Sequence, residues 1–571
     1  MARRKFVQTP PMWRQHVVLG LMICVFGVLA LRVVHLQTNS SDMLRAQGDK
    51  RYLRDVRILP ERGKILDRNG EVLSVSTPVD SLVADPKIFC QDSTRWDEML
   101  KTISMSSAKL NKSCDRYAGS DFMYVKRRLP PALVNKVMNL DVPGLEVRRE
   151  YKRFFPGGPV SAHLLGFTDV DDNGQEGLEL VYDSQLKGKE GKKRVLKDLA
   201  GHYVESVESI QQVRHGDDLQ ISIDQRVQSL ASRYLELAVK KHNAAGGSVV
   251  VIRVPSGEII SMVNSPQFNP NDRGTLAGGT FRNRAVTDVV EPGSTAKPFT
   301  IAMAMESGEV GPESMVDTSP GYYRVRGGTI HDVHDYGNIS VFDVIVHSSN
   351  IGSAKLALSL PFENLFNTFK DVGFGQIAGS LPGEIAGVLK KRTRKIEHAT
   401  FSYGYGFSVT PLQLARAYTV FATDGVLLPV TLDKKSDDFV PEGKRVFSSE
   451  TVASIRSMLE KVATPEGTAR KARIPRYRIG GKTGTTHKLV NGNYINKRYV
   501  SLFAGMGPIT DPRFVMVVSI DDPRGKFHYG GDVAAPVFSS LMEDLMRLYN
   551  VKPDDIGEPE VSYVALDDNN V

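Results

Sequence analysis

The chain has 571 residues, 41% of them apolar and 24% charged, which excludes a disordered or fibrous protein and exceeds one ordinary domain, so two folded domains are expected. A formal net charge of +8 would suit a nucleic acid, but 73 Lys and Arg are interleaved with 65 Asp and Glu, and no nucleic-acid partner is read from that pattern. The denser basic runs, Lys187 to Arg194 and Lys390 to Lys395, read as solvated loops rather than contact patches.

Val17 to Leu31 read VVLGLMICVFGVLAL without a charge, and Val33 to Leu36 extend the run past Arg32. A helix over 17–37 crosses a hydrocarbon core of about 30 Å at about 1.5 Å per residue. Arg32 then lies near one end, where its side chain can snorkel to the headgroups. No A-x-A-like cleavage site follows, only HLQTNSSD, so an uncleaved anchor is expected rather than a removed signal. Arg3, Arg4, Lys5 and Arg14 precede the span, and such flanks stay in the cytoplasm. Residues 1–16 are therefore expected as a cytoplasmic tail, 17–37 as the anchor, and the rest outside. Cys24 is in the span. Cys90 and Cys114 face an oxidising compartment, where pairing and free thiols both stay open.

In RGKILDRNGEVLSVS, short apolar runs flank Asn69-Gly70, a hairpin signature. Mixed strand-like and helix-like pieces follow, with no nucleophile-and-base pairing, so 45–214 reads as an elongated α+β spacer or docking domain. The polar His215 to Asp218 mark a boundary, and 215–550 form the second domain. There Asp224 can cap a helix in which Val227, Leu230, Tyr234 and Leu237 recur, ended by Gly246-Gly247. SVVVIRV and EIISMV are two strands, YRIGGKTGTT, YVSLFAGMGPI and RFVMVVSID three more, and Val537, Leu541, Leu545 and Leu548 stripe a final helix. A mostly helical insert, from about Gly293 to Glu460, separates the two groups of strands. Short connections imply antiparallel pairing. The expectation is an α+β fold, with two helices on a five-stranded antiparallel sheet and a helical subdomain. Residues 551–571 read as a frayed acidic tail.

Three motifs carry chemistry. In EPGSTAKPF, Ser294 and Lys297 stand three residues apart at a helix start, on one face, where the amine can reach the hydroxyl. A serine needs such a base, and lysine is one only when burial and positive neighbours lower its pKa. Alone, S-x-x-K is better read as an ordinary helix start with a solvated lysine. In HSSNIG, Ser348 can relay a proton and Asn350 can hydrogen-bond a peptide. In KTGTT, the two-residue strand period puts Lys482 and Gly484 on one face, which Gly484 leaves open for substrate beside the cation. The order S-x-x-K, S-x-N, K-T-G is that of class A β-lactamases and penicillin-binding proteins.

With RGKILDRNG, AHLLGFTDVDDNGQEGLEL, RNRAVTDVVEPGSTAKP, FSYGYGFSVTPLQLARAY and YGGDVAAPVF beside those motifs, the chain resembles the monofunctional, class B penicillin-binding proteins, nearest the septal transpeptidases of Gram-negative bacteria, from the anchor to about Pro553. The resemblance implies a dimerisation-type pedestal over 45–214 and a serine D,D-transpeptidase that cross-links D-Ala-D-Ala stems to a neighbouring stem, usually meso-diaminopimelate, and is acylated by β-lactams. It implies Ser294 as nucleophile, Lys297 as its base, Ser348 as proton relay, Asn350 as holder of the donor stem, and Lys482, Thr483, Gly484 and Thr485 as the carboxylate-binding strand. The backbone N–H groups of Ser294 and Thr485 would form an oxyanion hole. No metal or other cofactor is implied. The implied partners are the FtsW glycosyltransferase and the divisome proteins FtsN and FtsQLB, at the inner-membrane division site. Tyr405 and Tyr529 either line the cleft or pack in the core or at the rim. Three other readings keep the same motifs: a carboxypeptidase or β-lactamase-like hydrolase, the elongation-type penicillin-binding protein 2, and a β-lactam sensor.

Overall fold

The computed structural model describes residues 12–38, 41–197, 203–272, 281–379, 381–392, 394–490 and 493–555. Most of the expected cytoplasmic tail, with Arg3, Arg4 and Lys5, and residues 556–571 of the expected C-terminal tail lie outside them. The fold is mixed α+β in two compact units, each assembled from separate stretches of chain: 1–60, 79–150 and 188–215 in one, 61–78, 151–187 and 216–571 in the other.

The first unit begins with a 27-residue helix, Met12–Thr38, whose apolar side chains are exposed throughout, a length and composition suited to crossing a membrane. A single apolar helix of this kind at the N-terminus suggests a single-pass anchor. Beyond it, Leu53–Ile58, Gly191–Lys197 and Tyr203–Gln211 form a three-stranded antiparallel sheet. The basic run at Lys187 to Arg194 is thus not a loop throughout. Its second half is the central strand, where alternation buries Val195 and leaves Arg194 on Asp55 at 2.9 Å. A small core of Leu82, Phe89, Trp96, Met99, Leu110 and Val137 supports the rest, with Phe89 stacked on Trp96. Cys90 and Cys114 are joined in a disulfide there, which resolves the open choice between pairing and free thiols.

In the second unit the Asn69-Gly70 signature is a hairpin: Ile65 pairs with Ser74, and the Asp67 carboxylate accepts the Asn69 and Glu71 N–H groups across the turn. Arg62, just before it, is 1% exposed. Its Nε donates to Glu179 at 2.7 Å, and its Nη1 to Asp183 at 2.7 Å. The fully buried Glu179 also accepts from Arg153 Nε and Ser74 Oγ, each at 2.7 Å. This network ties 61–78 and 151–187 together within the unit. Removing one member of a buried ion network strands the others, at a cost of about 3–5 kcal/mol. Glu179→Ala is therefore expected to lower the thermal unfolding midpoint of the purified chain sharply; a change under about 1 kcal/mol would contradict it.

The catalytic-type sheet follows. Helix α1 (Gln225–Lys241) is capped by Asp224, which accepts the Arg226 N–H. It buries Val227, Ala231, Leu235 and Ala238, while Leu237 of the expected stripe is 55% exposed. The stripe runs through small residues that hydrophobic periodicity does not flag. Gly246 and Gly247 do not end the helix, which stops at Lys241; they open strand β1 (Gly246–Arg253), where a Cβ on Gly247 would lie 2.6 Å from Ser519 O and 3.0 Å from Leu235 Cδ1. Strand β2 (Ile259–Ser265) pairs with β1. The insert carries α2 (Lys297–Glu306), α3 (Asn350–Leu358) and α4 (Pro411–Ala422), along with short two-stranded ribbons. Then come β3 (Gly480–Val490), β4 (Asn493–Gly507), β5 (Phe514–Asp521) and α5 (Ala535–Leu548). The sheet order is β2-β1-β5-β4-β3, antiparallel at every pairing, as expected. Helices α1 and α5 pack together, with Tyr234 donating to Asp544 at 2.7 Å, and α4 packs on β1 and β5. That arrangement leaves β3 as the edge strand, its outer side turned to the insert.

Candidate active site

Ser294 sits in a 3-10 turn, Gly293–Ala296, that leads into α2. The turn is fixed from both sides. Gly293 N–H donates to Gly404 O at 3.1 Å, and Tyr418 OH to Thr295 O at 2.8 Å. The Glu291 carboxylate accepts the Gly406 N–H at 2.7 Å and the Tyr494 hydroxyl at 3.0 Å. At Gly293, φ is +54°, and a Cβ there would meet Thr486 Cγ2 at 2.4 Å, so only glycine lets this turn lie against β3. The same Cβ position is 3.9 Å from the Thr485 nitrogen, which brings the Ser294 turn beside the Thr485 amide.

Lys297 is fully buried, yet its amine is not on Ser294. Nζ donates to Ser348 O and to Asn350 Oδ1 at 2.8 Å, and lies 3.1 Å from Ser348 Oγ. Among the described residues Ser294 Oγ has no hydrogen-bond partner, and its side chain is half-buried. Placement at i and i+3 thus puts both groups in one cleft without a direct bond. The Asn350 amide orientation follows from its neighbours: Nδ2 donates to the acceptor-only His331 O at 3.0 Å, so Oδ1 must face the lysine. Burial, then the facing Lys482 ammonium, hold Lys297 well below the usual lysine range, against a smaller opposing pull from Asp332. A neutral amine has two hydrogens. Ser348 O and Asn350 Oδ1 absorb both, which leaves the lone pair for a proton from a hydroxyl.

Ser348 has φ +59°, a strained setting for a non-glycine residue. Ser349 caps α3 by accepting the Gly352 N–H at 2.9 Å. Asp332 supports this turn: its Oδ1 accepts the Asn350 and Ile351 N–H groups at 2.5 and 3.2 Å, and its Oδ2 the Ser349 hydroxyl at 2.5 Å.

On β3, Lys482 is buried, and its Nζ donates to Ser348 Oγ at 2.9 Å. Ser348 Oγ therefore bridges two lysine amines. Burial pushes Lys482 down to about 7. Gly484 does not hold an open face. A Cβ there would lie 2.9 Å from Pro292 O and 3.0 Å from Thr295 Cγ2, so its absence admits the Ser294 turn rather than substrate. Thr483 and Thr485 alternate with Lys482 and Gly484 along the strand, and the Lys482 amine reaches round to within 3.5 Å of Thr483 Oγ1. Thr485 Oγ1 accepts the Gly530 N–H at 3.0 Å, which turns its own hydrogen outward, and Thr483 Oγ1 lies 3.3 Å from Thr468 Oγ1. Tyr405 packs edge-on to Tyr403 and Tyr494, and Tyr529, 58% exposed, lies against His528 beside Gly530.

All eight residues singled out from sequence thus meet at one place, where the Ser294 turn, the start of α3 and the edge strand β3 converge. Asp332, Glu291, Tyr494 and Gly530 were missed. Each acts through its position in the fold, and no spacing relative to the three motifs marks it.

Residues 247–543 match the penicillin binding protein transpeptidase domain, and 57–221 the penicillin-binding protein dimerisation domain. The chain belongs to the class B penicillin-binding proteins. Over 554 residues, 95% of this chain and 93% of its relative, it is 40% identical to the peptidoglycan D,D-transpeptidase FtsI of Escherichia coli K12. The transpeptidase domain of Burkholderia pseudomallei penicillin-binding protein 3, solved in its apo form, is 43% identical and superposes with a TM-score of 0.54, covering 58% of this chain and 97% of that one. A peptidoglycan synthetase from Bifidobacterium adolescentis, 23% identical, shares the fold over 88% of this chain and 97% of its own, with a TM-score of 0.68.

Proposed function

We propose that this chain is a serine D,D-transpeptidase that cross-links peptidoglycan stems at the division septum, and that β-lactams acylate it. The observation that carries the chemistry is the buried Lys297 amine, depressed in pKa and sharing the Ser348 hydroxyl with Lys482. Ser294 Oγ attacks the carbonyl of the D-Ala-D-Ala bond while its proton passes to the Lys297 lone pair. The Ser294 and Thr485 N–H groups receive the developing oxyanion, each such donor contributing about 3–4 kcal/mol. Ser348 Oγ then hands its proton to the leaving D-alanine amine and takes in its place the one held by Lys297, 3.1 Å away, and the C–N bond breaks to leave a Ser294 ester. Lys482, with the Thr483 and Thr485 hydroxyls, holds the terminal carboxylate. Asn350 orients the donor stem with the second hydrogen of its amide. The amine of a neighbouring stem, meso-diaminopimelate by family resemblance, attacks the ester through the reverse proton path and forms the cross-link.

The helix Met12–Thr38 supports a single-pass inner-membrane anchor with residues 1–16 cytoplasmic and 17–37 in the bilayer. The domain matches over 57–221 and 247–543 support 45–214 as pedestal and 215–550 as the transpeptidase, with 551–571 left as tail. The similarity to FtsI supports the septal role, and with it FtsW as strand polymerase and FtsN and FtsQLB as regulators. Depletion in the source bacterium tests that role. Filaments without septa are expected, whereas rounded cells would assign the chain to elongation.

A further inference from the structure

The sequence motifs leave one question about the cleft: what holds Ser348, in a left-handed backbone setting, with its carbonyl and hydroxyl both on Lys297? The residue itself favours no such conformation, which persists only when surroundings over-determine it. The restraint lies directly after it. Asp332 follows the ribbon strand Gly328–His331 and brings one carboxylate against three donors, Ser349 Oγ and the Asn350 and Ile351 N–H groups, at the first turn of α3. Its neighbour His331 fixes the Asn350 side chain through the carbonyl. The geometry points to Asp332 as the positioning residue of the catalytic turn, holding Ser348 Oγ and Asn350 Oδ1 on the Lys297 amine. This rests on Lys297 being the base.

Asp332 acts on the base electrically as well as by position. The charged groups that face Lys297 are Lys482, which lowers its proton affinity, and Asp332, which raises it. Asp332 is itself faced by Tyr336 and Tyr403, whose hydroxyls stay protonated beside it. A carboxylate here therefore raises the pH at which Lys297 becomes a base, against burial and Lys482. A purely structural acid would set only how well the turn is formed.

The test is the rate of acylation of the full-length chain in detergent by a fluorescent penicillin, from pH 5 to 9, with Ser294→Ala as blank. Asp332→Asn keeps the shape and loses the charge. Its plateau rate is expected to fall at least ~10-fold, and its acid limb to move down by ~0.5–1 pH unit, because the Lys297 ammonium loses a stabilising neighbour. Ser349→Ala removes one of the three donors and keeps the charge; a roughly threefold to tenfold slower plateau is expected, with the limb in place. An Asp332→Asn limb at the wild-type pH, or a plateau within twofold of wild type, overturns the assignment. If that variant does not fold, Ser349→Ala decides, and an unchanged plateau overturns it. A wild-type chain that is not acylated would instead sink the functional reading.

Discussion

Ser294→Ala is expected to abolish covalent labelling of the full-length chain by a fluorescent penicillin, because the bond that would be detected forms on the missing oxygen. The loss is absolute for the acyl product, unlike the graded losses at groups that only assist. The variant should also remain folded. Ser294 is half-buried and its hydroxyl has no hydrogen-bond partner among the described residues, so its removal leaves no buried group unsatisfied. Substitutions of that kind change stability by about 0.5 kcal/mol or less. An unlabelled chain with a wild-type unfolding midpoint is the expected pair of results. Labelling that persists would place the nucleophile elsewhere.

The second large effect is at Lys297. Lys297→Met retains length and packing but has no lone pair for the proton, and a positioned base contributes about 10²–10⁴-fold. Acylation is expected to drop by about 10³-fold. In the unaltered chain the two amines give opposite pH limbs. Lys297 is held well below the usual lysine range; below its pKa it is an ammonium and cannot accept, so the rate falls as pH falls. Lys482 must be an ammonium to hold the terminal carboxylate, and burial brings it to about 7 in the empty cleft, so the rate falls as pH rises past that point. A bell-shaped profile of the second-order acylation rate is expected, its alkaline limb near 7. Because both amines contact Ser348 Oγ, the two apparent values belong to the pair. Lys482→Met should remove the alkaline limb and leave a slow, flat upper branch. A wild-type rate that climbs without a ceiling to pH 9 would contradict the role given to Lys482.

Most of the site was legible because its chemistry is encoded at short range. Ser294 and Lys297 are fixed by one turn, Ser348 and Asn350 by a helix start, and Lys482 to Thr485 by one strand. Reading failed where a neighbour from elsewhere in the chain decides the outcome. Gly484 looks like space for substrate until Pro292 and Thr295 are seen to fill it. The basic run near Arg194 looks like a loop until the Asp55 strand pairs with it, although the Arg194 side chain stays 39% exposed. Leu237 looks like core, but α1 turns Ala231 and Leu235 inward instead.

By itself, then, the sequence determined the α+β class, the five strands, the apolar N-terminal segment and which residues gather in the cleft, since periodicity, turn chemistry and motif spacing are local properties. Only the tertiary structure decided that Lys297 bonds the Ser348 turn rather than Ser294, that Ser348 Oγ is shared by two lysines, and that Asp332 and Glu291 hold the two turns in place. A pKa depends on burial and on charges brought within a few ångströms by the fold, and those distances are set by packing between segments that lie far apart in the chain.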